Sequence, residues 1–76
     1  MDAETQKQAI LKLLRVKPMT TFEFRSAGIC HPAGRIQELR RAGHRINTVL
    51  GDGVADGLGS MHHSVARYVL IEEAAQ

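Results

Sequence analysis

Residues 20–46 read TTFEFRSAGICHPAGRIQELRRAGHRI, and the punctuation inside this stretch decides the fold. Thr20 or Thr21 supplies a hydroxyl that caps the start of a short helix, and Glu23 falls in its first turn, where a carboxylate meets the positive end of the helix dipole. Phe22 or Phe24, Ala27 and Ile29 are available for a core. Gly28 then allows the positive φ that reverses the chain. A second helix follows at once, since Pro32 suits the first helical position and Gly43 the left-handed position after the last. At helical spacing Ala33, Ile36, Leu39 and Arg40 share one side of it. Gly34, Glu38 and Arg41 lie near the other side, flanked by Arg35 and Gln37.

Upstream, residues 6–16 place Ile10, Leu13 and Leu14 on one helical face, with Leu11 widening the stripe and Lys7, Lys12 and Arg15 outside it. Thr5 is the expected N-cap, and Pro18 ends the helix by pushing the residue before it out of the helical region. Downstream the period changes from helical to alternating. RINTVL (residues 45–50) and SVARYVLI (residues 64–71) are rich in β-branched residues and have the length of strands. Between them GDGVADGLGSMHH holds four of the seven glycines and no lysine or arginine, so the two strands are expected to form a hairpin across a long loop. Ala66, Tyr68 and Leu70 on one face, or Val65, Val69 and Ile71 on the other, would pack on the helices. The pattern leaves that register open. The tail EEAAQ is expected to be a frayed end. The reading is α+β, three helices followed by a two-stranded hairpin, as a single domain over residues 1–76 with its core over about 5–71.

The net charge of +2 hides a division along the chain. From Lys7 to Arg45 there are nine basic residues against two acids, whereas outside that segment Arg67 stands against six acids. A small molecular charge thus coexists with one strongly positive region, the electrostatic footprint of a partner that carries phosphate. Cys30 is the only cysteine, which rules out an intramolecular disulfide and fits a reducing cytoplasm. No apolar run approaches the roughly 18 residues of a membrane span, and the polar start MDAETQKQ carries no signal-peptide pattern, so no leader or anchor is expected.

A short helix, a glycine turn and a basic helix capped at both ends make a helix-turn-helix, the device that lays a helix in the major groove of double-stranded DNA. With the strands that follow, the order resembles the winged helix-turn-helix superfamily. More narrowly, QAILKLL, HPAGRIQELRRAGHRI and ARYVL resemble the small winged helix-turn-helix proteins encoded in prophages and bacteriophages, a likeness that runs from Gln6 to Leu70. The resemblance implies a sequence-specific or architectural DNA-binding protein, with transcriptional regulation in a phage or prophage as the expected use and the hairpin as the wing. One departure is that the loop of the wing carries Asp52 and Asp56 and has only His62 and His63 for positive charge, and these are mostly neutral at pH 7. The basic character sits on the helices instead.

Arg35 and Arg41 are the leading candidates for DNA contact, because a planar guanidinium binds guanine O6 and N7, or a phosphate, with two parallel bonds. Each competes with an intrahelical pair to Glu38, three residues away. His31 and Gln37 add hydrogen-bonding groups at the start and flank of the helix. Gly34 costs a helix interior about 0.5–1 kcal/mol relative to alanine, which suggests that either the DNA backbone or the preceding helix approaches closely there. Thr20, Thr21, Arg25 and Arg45 are placed to meet phosphates. Cys30, His31, His62 and His63 lack the spacing of a compact zinc site, and no cofactor is expected. Nor is there a paired-carboxylate, nucleophile-plus-base or phosphate-loop pattern, so no enzymatic activity is expected. A homodimer on paired half-sites suits so small a reader. The alternative is a protein-interaction module, a phage accessory factor that binds a host protein, which would suit Glu38 on the reading face and an acidic wing.

Overall fold

A computed structural model describes residues 2–51, 54–55, 58–62 and 64–75. In chain order the elements are α1 (Ala3–Val16), β1 (Met19–Thr20), α2 (Thr21–Ser26), α3 (Pro32–Arg41), β2 (Arg45–Gly51), β3 (Val54–Ala55), β4 (Met61–His62) and β5 (Val65–Glu72). The three expected helices are present in an α+β arrangement with an antiparallel sheet.

α1 begins earlier than its apolar pattern indicates. Asp2, not Thr5, is the N-cap: its carboxylate accepts the Thr5 backbone N–H at 2.7 Å, and that bond holds the Asp2 carboxyl below its ordinary pKa. The polar first turn carries no periodic signal, so only the cap marks it. Ile10, Leu11 and Leu14 are buried, and Leu13 packs at the edge of the core. The buried stripe is therefore rotated slightly towards Leu11.

The cap of α2 is Thr20. Its Oγ1 accepts the Glu23 N–H at 3.2 Å while a Glu23 carboxylate oxygen accepts the Thr20 N–H at 3.0 Å, a reciprocal capping box. At the other end Gly28 has φ 91°, the Ile29 N–H donates to the Phe24 carbonyl and the Gly28 N–H to that of Arg25. This is the Schellman closure, and the two residues it joins, Phe24 and Ile29, are both fully buried. Phe22 is only half-buried and Ala27 is exposed. α3 ends the same way at Gly43, φ 101°, with the His44 N–H donating to the Leu39 carbonyl.

The sheet has three strands in the order β1-β5-β2, one more than expected. Met19 pairs with Tyr68 and Thr20 with Arg67. Two residues are too few to show alternation, and their pairing depends on a strand far along the chain. Between β2 and β5, Ile46 faces Leu70, Thr48 faces Tyr68 and Leu50 faces Ala66. Ala66, Tyr68 and Leu70 turn towards the helices, which resolves the open register. Val65 is also buried but lies outside the main core, and Ile71 is half exposed beside an irregularity between Arg45 and Ile46. Farther out, β3 pairs with β4. Asp52, Asp56 and His63 lie outside the described residues.

Helices and sheet enclose a core centred on Ile10, Phe24, Ile29 and Ile36, closed on the sheet side by Ile46 and Tyr68. The Phe24 and Tyr68 rings sit 6.1 Å apart at 39°, joining α2 directly to β5. Glu73 and Ala74 of the tail, expected to be frayed, are tied down. Arg15 at the end of α1 donates to both carboxylate oxygens of Glu73 at 2.6–3.1 Å, and the Ala74 N–H donates to His44 Nδ1 at 3.0 Å. Partners so distant in sequence leave no trace in a local reading. Among the described residues no helix is long and apolar enough to cross a membrane.

Candidate nucleic-acid interface

The outward face of α3 follows from what the helix buries. Pro32, Ile36 and Leu39 point into the molecule, which leaves Gly34, Gln37 and Arg41 exposed along one stripe, with Ala33 beside them. Ala33 was expected on the buried side; it is exposed because Pro32 takes that place at the first turn. Arg40, also assigned to that side, does turn inwards, but as a tie. Its guanidinium donates to the Ile46 carbonyl from Nε (3.0 Å) and Nη2 (2.7 Å) and to Thr48 Oγ1 at 2.7 Å, fastening α3 to β2.

Gly34 has ordinary helical φ, and a Cβ there would meet no atom within 4 Å. α2 does not crowd it. The glycine therefore has no conformational or packing reason inside the molecule, while its cost to the helix remains.

Among the described residues, four of the nine basic residues of the positive segment are paired with carboxylates. Lys7 lies 3.1 Å from Glu4 and 3.7 Å from Glu38; Arg35 lies 2.9 Å from Glu38; Lys17 lies 3.3 Å from Glu23; Arg15 holds Glu73. These contacts hold the carboxyls of Glu4, Glu23 and Glu73 below their ordinary pKa, in Glu23 chiefly through the Thr20 N–H, in Glu4 through Lys7 and in Glu73 through Arg15. Among the described residues Lys12, Arg25, Arg41, Arg45 and Arg67 form no salt bridge.

The ten site residues named from the sequence divide accordingly. Gly34, Gln37 and Arg41 share the exposed stripe of α3, and His31 at its N-cap is exposed with no side-chain cap bond. Arg25 is exposed on α2, and Arg45 is exposed at the start of β2, just past the turn that ends α3. Thr21 is half-buried. Thr20 is buried with its hydroxyl committed to the Glu23 N–H, so it offers no free surface for a phosphate. Arg35 and Glu38 are drawn aside into their mutual pair, on the flank of α3 where Lys7 reaches across from α1. The i, i+3 spacing made that pair legible, whereas the contribution of Lys7 was not, because nothing local relates it to Glu38.

A three-helix unit with a glycine turn before an exposed-faced α3, followed by a hairpin joined to the first loop through β1, is a winged helix-turn-helix, and the winged helix-turn-helix domain family matches residues 5–73. The chain belongs to that family. A search of curated proteins and one of solved structures each find no match. As a winged helix-turn-helix domain the chain is of a kind that suggests DNA binding, with α2 and α3 as the helix pair and β2–β5 as the wing. Among the described residues no three His, Cys, Asp or Glu side chains gather to hold a metal ion.

Proposed function

We propose that this winged helix-turn-helix domain binds double-stranded DNA by laying α3 in the major groove. The observation that carries the reading is the stripe Gly34, Gln37 and Arg41: polar or bare, exposed, and free of salt bridges among the described residues on a helix whose other side is fixed by the core. Arg41 and Gln37 have the donor geometry for base edges, and Gly34 lets the groove wall come close to the helix backbone. Arg25, Arg45, His31 and Thr21 are assigned to phosphates. In the cell this would be a cytoplasmic transcriptional regulator, and the resemblance to prophage-encoded proteins supports a phage or prophage origin. Two copies reading paired half-sites would add the area that one small domain lacks.

The test is a duplex titration followed by fluorescence anisotropy over a range of salt. Each neutralised phosphate contributes about −0.9 to the slope of log K against log salt, so two or three contacts give a slope of about −2 to −3 per subunit. The alternative, a protein-interaction module such as a phage factor that binds a host protein, is favoured by a wing loop, residues 51–63, with no lysine or arginine, and by the exposed Leu50, Leu58 and Met61 in and beside it. Absence of duplex binding at low salt would select that alternative.

A further inference from the structure

Arg35 is tethered in a position that leaves one of its own donors stranded. Its guanidinium Nη2 meets Glu38 at 2.9 Å, but its Nε–H is buried with no acceptor. A buried donor without a partner is unfavourable, because water that solvated it has been lost and nothing has replaced it. Glu38, by contrast, is supplied twice, since Lys7 of α1 lies 3.7 Å from its other carboxylate oxygen and is shared with Glu4. The line Glu4, Lys7, Glu38, Arg35 thus alternates in sign across the junction of α1 and α3. Removing Arg35 from its end leaves Glu38 compensated; removing Lys7 from its middle leaves Glu38 dependent on Arg35 alone.

We propose that Glu38 and Lys7 form a gate on Arg35: Glu38 holds the arginine aside in the free protein, and Lys7 takes over the carboxylate when Arg35 swings out to the phosphate or base it binds on DNA. The inference rests on the DNA-binding reading above and assigns roles to two residues that need not touch DNA. Departure of Arg35 ends the stranding of its Nε–H and supplies a full guanidinium fork to the ligand. Lys7 sets how readily that happens. Releasing Arg35 forfeits little, because both pairs are partly exposed and each is worth little alone.

Duplex affinity of single and double variants tests the gate, with folding checked by thermal melts. Glu38→Gln, which keeps shape and loses charge, is expected to tighten binding about two- to fivefold, the strength of a partly exposed ion pair. In the Arg35→Met background that gain should vanish. Lys7→Met is expected to weaken binding by a similar factor with the salt slope unchanged, and to have no effect in the Glu38→Gln background. If Glu38→Gln gives the same gain without Arg35, the carboxylate merely repels phosphate and the gate is wrong. If Lys7→Met weakens binding equally in both backgrounds and lowers the salt slope by about 0.9, Lys7 is itself a phosphate contact and the relay is wrong. A parent that binds duplex while all variants bind like it overturns the gate alone; a parent and variants that bind none overturn the DNA reading with it.

Discussion

Arg35 and Arg41 sit on one helix with the same charge and end in opposite circumstances. On the flank of α3 that faces α1, Arg35, Glu38, Lys7 and Glu4 neutralise one another, and on the outer stripe Arg41 stands beside Gly34 and Gln37 with no counter-ion among the described residues. The difference lies in what the neighbouring element supplies. α1 brings a lysine to the flank, whereas the stripe faces solvent. A helix read for charge alone gives both arginines equal weight, and the fold sorts them into one that is held and one that is available. The same sorting applies to the whole positive segment, in which Lys7, Arg15, Lys17 and Arg35 are paired and Arg40 is spent on β2.

The sharpest way to break this division is to substitute adjacent residues on the two sides of α3. Ile36 is fully buried, so Ile36→Ala is expected to cost about 2–5 kcal/mol of folding stability in chemical denaturation, against less than about 0.5 kcal/mol for Gln37→Ala. Equal losses would mean that the stripe is not a free surface. Next in size, Arg41→Ala should leave the melting curve in place and weaken the best duplex site by about 1–3 kcal/mol, relaxing preference at one or two base pairs in a binding selection. A change in stability instead would return Arg41 to the compensated side.

Most of the punctuation was legible because it is local. Gly28, Pro32 and Gly43 announce the ends of α2 and α3 through backbone geometry that few other residues adopt, and the buried spacing of Ile36 and Leu39 fixes which way α3 faces. What the chain did not disclose depends on distant partners. β1 exists because Tyr68 and Arg67 come alongside Met19 and Thr20, the inward-turned Arg40 becomes a tie because Ile46 offers a carbonyl, and the tail is held because Arg15 and His44 lie under it. Asp2 was missed for another reason: a polar first turn has no period to extend. The stripe itself was half legible, since spacing placed Gly34 and Arg41 outwards but could not subtract Glu38, which Lys7 draws towards α1.

Two smaller effects sharpen the contrast further. Gly34→Ala should stabilise the fold by about 0.5–1 kcal/mol, because a Cβ there meets nothing, and at the same time weaken duplex binding. Opposite signs in the two measurements would mark Gly34 as a point of close approach, and improvement in both would remove that role. The smallest effect expected is in acid. Glu23 has its pKa lowered from an ordinary 4.5 by the Thr20 N–H, so the unfolded chain takes up the proton first. The capping box therefore contributes fully above pH 4.5, and its contribution is lost as pH falls through the lower folded value. Denaturation of the parent at pH 7 and pH 3 should differ more than that of Glu23→Gln, which keeps the acceptor without the titration.

Thr20 belongs to two structures at once, as the strand partner of Arg67 and as the residue that starts α2. Opening of β5 away from β1 therefore withdraws the support of the helix cap, and loss of Phe24 from beside Tyr68 would follow from either event. α2 and β5 are thereby coupled through one residue. Native-state hydrogen exchange is expected to show the amides of α2 and of the inner part of β5 opening together in one sub-global event, with the outer hairpin β3–β4 exchanging separately and sooner. Because the contact that couples them spans most of the chain, α2 gains its lasting protection only after the last strand is in place.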